Sequence, residues 1–256
     1  MEGRTSTTVL NSVEPGVEKP ARSLLQRLTG ILFEPRSTFE DVDRRPSWIP
    51  IYALLALSVM ASTYVLTIRL DYETYTRKAL ELNPFSRNLS EEQIESIISR
   101  PQGPIQKLAP IFVAPIGVLM GYLAIAGVFL LFFILMGSSI SYRKSLAVTI
   151  WAMAPPAIIV ALLSAFLMFM KDPELLELNP AANVVSNLGL LISAKEHPAL
   201  SSLLTSVDVF SFWTIFLLSI GFATISKLPT RTAATAVSIL WVIWVAGKAG
   251  FFALAR

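Results

Sequence analysis

Five long stretches without a charged residue limit this chain to folds that live in a bilayer. They are residues 46–68, 111–141, 145–170, 209–226 and 232–247. A hydrocarbon core of about 30 Å is crossed by about 20 residues of helix at 1.5 Å each, a length the first three stretches exceed. The fourth is slightly short, and the fifth reaches span length only if Lys248 is accommodated, since residues 249–254 are again mostly apolar. Only 15% of the chain is charged and 54% is hydrophobic, with a mean hydropathy of +0.60, whereas about a quarter of an ordinary globular domain is charged. The pattern predicts an all-α polytopic bundle of five transmembrane helices, at about 48–69, 111–136, 146–170, 208–226 and 233–254, with amphipathic interfacial helices beside them. Together, residues 21–256 make one membrane domain.

Residues 1–20 mix small polar residues, charges and two prolines without apolar periodicity, which predicts a disordered tail. From Ala21 onward Leu24, Leu25, Leu28, Ile31 and Leu32 recur at helical spacing, with Arg22 and Arg27 off that face. This is the pattern of a short helix lying on a membrane surface. Pro35 ends it, and Ser37 with Glu40 predicts a capping-box start for a second short helix leading to Arg44, Arg45 and Pro46. Arg22, Arg27, Arg36, Arg44 and Arg45 are the expected contacts to lipid headgroups.

Two long connections alternate with two short ones. The first long one carries a helix start at Asp71, a break at Asn83 and Pro84, and a capping box at Ser90 and Gln93. The second holds an apolar segment, 181–194, suited to rest on the membrane or tuck between helices. The short connections are basic, with Arg143 and Lys144 in one and Lys227 and Arg231 in the other. In the long connections acids offset the bases, so the positive-inside rule predicts a multi-pass protein of the cell membrane, by expectation a bacterial inner membrane. Its N-terminus would be cytoplasmic and its C-terminus outside. The first apolar run is too long for a cleavable signal core of about 7–15 residues and is expected to remain as a span.

The chemistry available to such a chain is narrow. Zero cysteines remove disulfides, thiolate metal sites and cysteine nucleophiles, and a single histidine, His197, leaves no histidine metal cluster. The first three spans contain no ionisable group of the kind that handles transported charge. Their serines, such as Ser58 and Ser164, have no base at comparable depth and suit helix packing. No catalytic residue, cofactor or metal is therefore expected, and the small net charge of +3 gives no case for nucleic acid.

Three features carry more specific expectations. Pro155 and Pro156 fall inside the third span, where consecutive prolines delete backbone donors and predict a kink or a broken helix. Gly117 and Gly121 form a GxxxG in the second span, suited to close packing within the bundle or to a dimer seam. Asp208 and Lys248 lie about 21 residues before and about 19 after the middle of the last hairpin, so they differ in depth by roughly 3 Å and are candidates for an intramembrane ion pair. The alternative is that Lys248 snorkels to headgroups while Asp208 caps the fourth span.

Four segments, taken in order, resemble the Yip1 family of five-span integral membrane proteins in its bacterial branch. They are GILFEPRSTFEDV with RPSW before the first span, SYRKSLAVTIWAMAPP at the third, the NLGLLISAKEHP loop, and DVFSFWTIFLLSIGFATISKL in the fourth. The resemblance runs from about residue 24 to 254 and implies a five-helix bundle with a cytoplasmic N-terminus. In eukaryotes the family is tied to the secretory pathway and to membrane-attached small GTPases; it supplies no catalytic residues to carry over. The expected role is a non-enzymatic scaffold or adaptor whose partners are membrane lipids, a membrane protein or a second copy of the chain. The competing reading is a small-solute or lipid transporter that uses the proline-interrupted third span, and a groove reaching Pro155 would favour it.

Overall fold

The structure is a computed structural model that describes residues 20–82, 86, 88–99, 103–184, 186–192 and 197–254. The expected N-terminal tail and the break at Asn83 and Pro84 lie outside the described residues. Among the described residues ten α-helices follow one another: α1 (Leu24–Phe33), α2 (Pro35–Arg44), α3 (Ile49–Arg69), α4 (Tyr72–Leu82), α5 (Glu91–Ile98), α6 (Pro104–Leu135), α7 (Tyr142–Met170), α8 (Pro198–Leu204), α9 (Val209–Ser226) and α10 (Thr230–Leu254). Among the described residues there is no strand, only an isolated bridge between Asn187 and Asp208. The protein is an all-α polytopic bundle in which five helices, α3, α6, α7, α9 and α10, are long and apolar enough to cross a membrane.

Helix α7 is the axis. It touches α3, α6, α9, α1 and α2, and 67% of its most apolar window is buried, against 22% for α6 and for α10. Small residues make this possible: Ala147, Ala152 and Ala154 are fully enclosed, and Trp151 fills the remaining space. Helix α6 closes one side by stacking Phe133 on Phe222 of α9 with ring centroids 4.8 Å apart and planes 13° apart. Lys248 falls within α10, so the fifth span does run through the lysine to full length.

Several hydroxyls inside the spans are spent locally. Ser58, Thr67, Ser219 and Ser226 each donate to the carbonyl four residues earlier in their own helix, which satisfies a polar group where no water reaches. Ser145 donates instead to the carbonyl of Ala126 at 2.7 Å, tying α7 to α6.

Both short connections turn at a left-handed residue. Gly137 has φ of 87° after α6, and Lys227 has φ of 61° after α9. The two connections lie together, since Ser138 donates to the carbonyl of Ser226. They mark one end of the bundle, the basic end. At the opposite end the second long connection tucks in: Pro180–Asn183 packs on α7 and α3. Asn183 is fully buried there, accepting from the Glu177 amide and donating back to its carbonyl.

Candidate functional site

The feature most developed beyond a plain bundle is the hairpin of α1 and α2 at the basic end. Ser23 and Gln26 form a reciprocal capping box that starts α1, and Pro35 occupies the first turn of α2, where a missing amide costs nothing. This shifts the start of α2 ahead of Ser37, which therefore does not cap it; Ser37 instead donates to Glu34 and accepts from Arg22. The two helices approach closely at Gly30, where a Cβ would lie 2.3 Å from Thr38 Oγ1 and 2.6 Å from Arg22 Nη1.

A buried ion pair joins the hairpin. Arg27 meets Asp41 at 2.8 Å, with the two side chains 5% and 2% exposed. The rest of the guanidinium is satisfied by the Ser47 hydroxyl at 2.8 Å and the Arg45 carbonyl at 3.1 Å. Its carbon lies 5.7 Å from the ring centroid of Trp151 in α7, within cation–π range. Trp151 in turn donates its indole N–H to the Ser47 carbonyl. Arg27 therefore holds the hairpin to the central helix and is not a headgroup contact. Helical spacing sets it off the leucine face, and the side it occupies is the one that α2 and α7 cover. Arg22 is likewise turned inward, to Thr38, Ser37 and Glu34.

Two further contacts fix the hairpin. Phe39, fully buried, presses against Gly221 of α9: a Cβ at Gly221 would stand 2.5 Å from Val148 Cγ1 and 2.9 Å from Phe39 Cε1. Asp43 then binds both short connections at once, Lys144 at 2.6 Å and Lys227 at 3.0 Å. Partial burial raises the Asp43 pKa, but the hydrogen bonds and charges of Lys144 and Lys227 outweigh that and hold it below the usual carboxylate range. None of these three partners was singled out by the sequence as one group. The only signal was that all three charges border predicted spans.

Arg36, Arg44 and Arg45 remain exposed, Arg36 facing Glu40 at 3.8 Å and Arg44 facing Asp41 at 3.6 Å. The leucines of α1 are divided. Ile31 is buried and Leu28 packs on the core, while Leu25 and Phe33 are 73% and 82% exposed.

The remaining expected positions fall elsewhere. Helix α7 runs through Pro155 and Pro156 as one uninterrupted helix, both prolines buried, so the break is absent. Two prolines free the carbonyls of Trp151 and Ala152, a loss that neighbouring helices make tolerable inside a packed bundle. Gly117 and Gly121 have nothing within 4 Å of an added Cβ, so they do not serve packing within the bundle. Asp208 and Lys248 do reach similar depth, but no direct ion pair forms. The Asp208 carboxylate accepts from the Phe210 and Ser211 amides as the cap of α9, and Lys248 donates to Ser206 at 2.6 Å. The Asp208 carboxylate also accepts from the Ser211 hydroxyl, so its hydrogen bonds stay within its own turn and Lys248 feels only its charge.

The comparisons agree with this architecture. The chain is 24% identical over 242 residues, 91% of its length and 94% of the relative's, to the "membrane protein YknW" of Bacillus subtilis (strain 168). No solved structure matches it. The Yip1 domain pattern matches residues 29–249, taking in the hairpin from Thr29 and all five spans nearly to the end of α10. This integral membrane protein belongs to the Yip1 family.

Proposed function

We propose that the chain is a non-enzymatic membrane scaffold or adaptor, set in the cell membrane with its N-terminal hairpin and both short connections in the cytoplasm. The observation that carries this reading is the enclosure of α7. Trp151, Ala152, Ala154, Pro155, Pro156 and Ile158 are buried by helix packing while Ile159 faces outward, and a helix held along that side lends itself to holding partners in place. A transporter built on this span would need its freed carbonyls to face a path, and they lie in packed surroundings. The orientation is supported by the placing of Arg36, Arg44, Arg45, Arg143, Lys144, Lys227 and Arg231 at one end.

The test is reconstitution of the full chain in sealed vesicles, with release of trapped small solutes and exchange of labelled lipid measured together. A scaffold leaves both at the rate of empty vesicles. Faster release or exchange that disappears in Pro155→Ala and Pro156→Ala would establish the transporter instead.

A further inference from the structure

The hairpin sits at a definite height in the bundle. Trp151, against which Arg27 lies, is nine residues into α7, or about 14 Å from its start at 1.5 Å per residue, and Gly221, against which Phe39 lies, is five residues from the end of α9, or about 8 Å. Helix α7, at 29 residues, is about 43 Å long and outreaches a hydrocarbon core of about 30 Å at both ends. The hairpin therefore overlaps the boundary between headgroups and acyl chains. On this hairpin Leu25 and Phe33 stand uncovered by protein. Beside them at the same end Arg36, Arg143 and Arg231 are exposed. Among the described residues the last two have no carboxylate partner, and Arg36 has only the long contact to Glu40.

We infer that α1 is a fixed wedge in one leaflet, with Leu25 and Phe33 among acyl chains and Arg36, Arg143 and Arg231 collecting anionic lipid headgroups around it. Apolar residues that reach about 5–10 Å below the surface, rimmed by arginine, are what an interfacial helix needs to hold an anionic leaflet. Because Arg27 and Asp41 bolt it to α7, this wedge does not come and go as a free amphipathic helix would. The inference deepens the scaffold reading by naming the partner surface.

The lack of cysteine makes the test direct. Single variants Leu25→Cys, Phe33→Cys and, as a water-facing reference, Arg36→Cys are spin-labelled in the full chain. They are reconstituted in vesicles of phosphatidylcholine with and without phosphatidylglycerol. Labels at 25 and 33 should be more accessible to oxygen than to a nickel chelate, and the label at 36 the reverse. Spin-labelled phosphatidylglycerol should associate with the chain in preference to phosphatidylcholine, and the variant Arg36→Gln/Arg143→Gln/Arg231→Gln should lower that preference by at least about fivefold, which is the effect of one surface arginine alone. The wedge is overturned if labels at 25 and 33 are as nickel-accessible as that at 36, or if the triple variant keeps its lipid preference. Solute release by the vesicles would refute the scaffold and leave the wedge standing, whereas water-exposed labels would do the opposite.

Discussion

Arg27 and Asp41 form an ion pair in almost complete isolation from solvent; the guanidinium also donates to the Ser47 hydroxyl and the Arg45 carbonyl, and Arg44 stands 3.6 Å from the other Asp41 oxygen. Removing one partner strands the other, which costs about 3–5 kcal/mol, while replacing both by apolar residues of similar size is often close to neutral. Arg27→Met and Asp41→Leu should each lower the thermal midpoint of the full chain in detergent sharply. The double variant should recover most of the loss. Arg27→Lys should behave like a deletion, because an ammonium cannot reach Asp41, Ser47 and Arg45 together as the planar fork does.

Asp43 makes the clasp sensitive to acid. Its folded-state pKa lies below the ordinary carboxylate value of about 3.9, so its contribution is fully present above that value. It is lost as pH falls through 3.9 towards the folded pKa. Asp43→Asn should cost about 1 kcal/mol at neutral pH, the scale of a partly exposed ion pair. The gap in melting temperature between wild type and variant should stay constant from pH 7 to 5 and close below pH 4. A gap that widens in acid would contradict the assignment.

Gly221 is packed, whereas Gly117 and Gly121 are open. Gly221→Ala places a methyl group against Val148 and Phe39 and should cost about 1–3 kcal/mol by overpacking. Gly117→Ala and Gly121→Ala meet nothing and should be neutral or stabilising by up to about 1 kcal/mol, since alanine is the better helix former. Melting of the three variants side by side checks the contrast.

Asp208 acts on its own helix. Asp208→Ala should cost about 1 kcal/mol as the loss of an N-cap. Exchange of charge, Asp208→Lys with Lys248→Asp, should be no more stable than either single variant, because Lys248 answers to Ser206. Recovery in the double exchange would restore the direct pair.

What could be read from the chain was governed by distance along it. Spans, the capping box at Ser90 and Gln93, and the passage of α10 through Lys248 depend on local pattern, and all are legible. The start of α2 departs from the capping-box pattern at Ser37 for a local reason too: Pro35 and Ser37 compete to start the same helix, and proline's fixed φ prevails. The site is different. Arg27 meets Ser47 and Trp151, and Asp43 meets Lys144 and Lys227, through contacts no periodicity encodes. An arginine off the leucine face of a helix has the same sequence signature whether it faces water or a tryptophan.

The left-handed turn at Lys227 also bears on the order in which the protein can be completed. Asp43 emerges from the ribosome 101 residues ahead of Lys144 and 184 ahead of Lys227. Until α9 is made the hairpin lacks its docking surface there, and the niche at Gly221 does not exist. The clasp can therefore shut only once the fourth span has been inserted and its chain has turned back at Lys227. A nascent chain stalled before that point keeps Phe39 and Asp43 uncovered, which gives quality-control machinery a chemical difference between an unfinished bundle and a finished one.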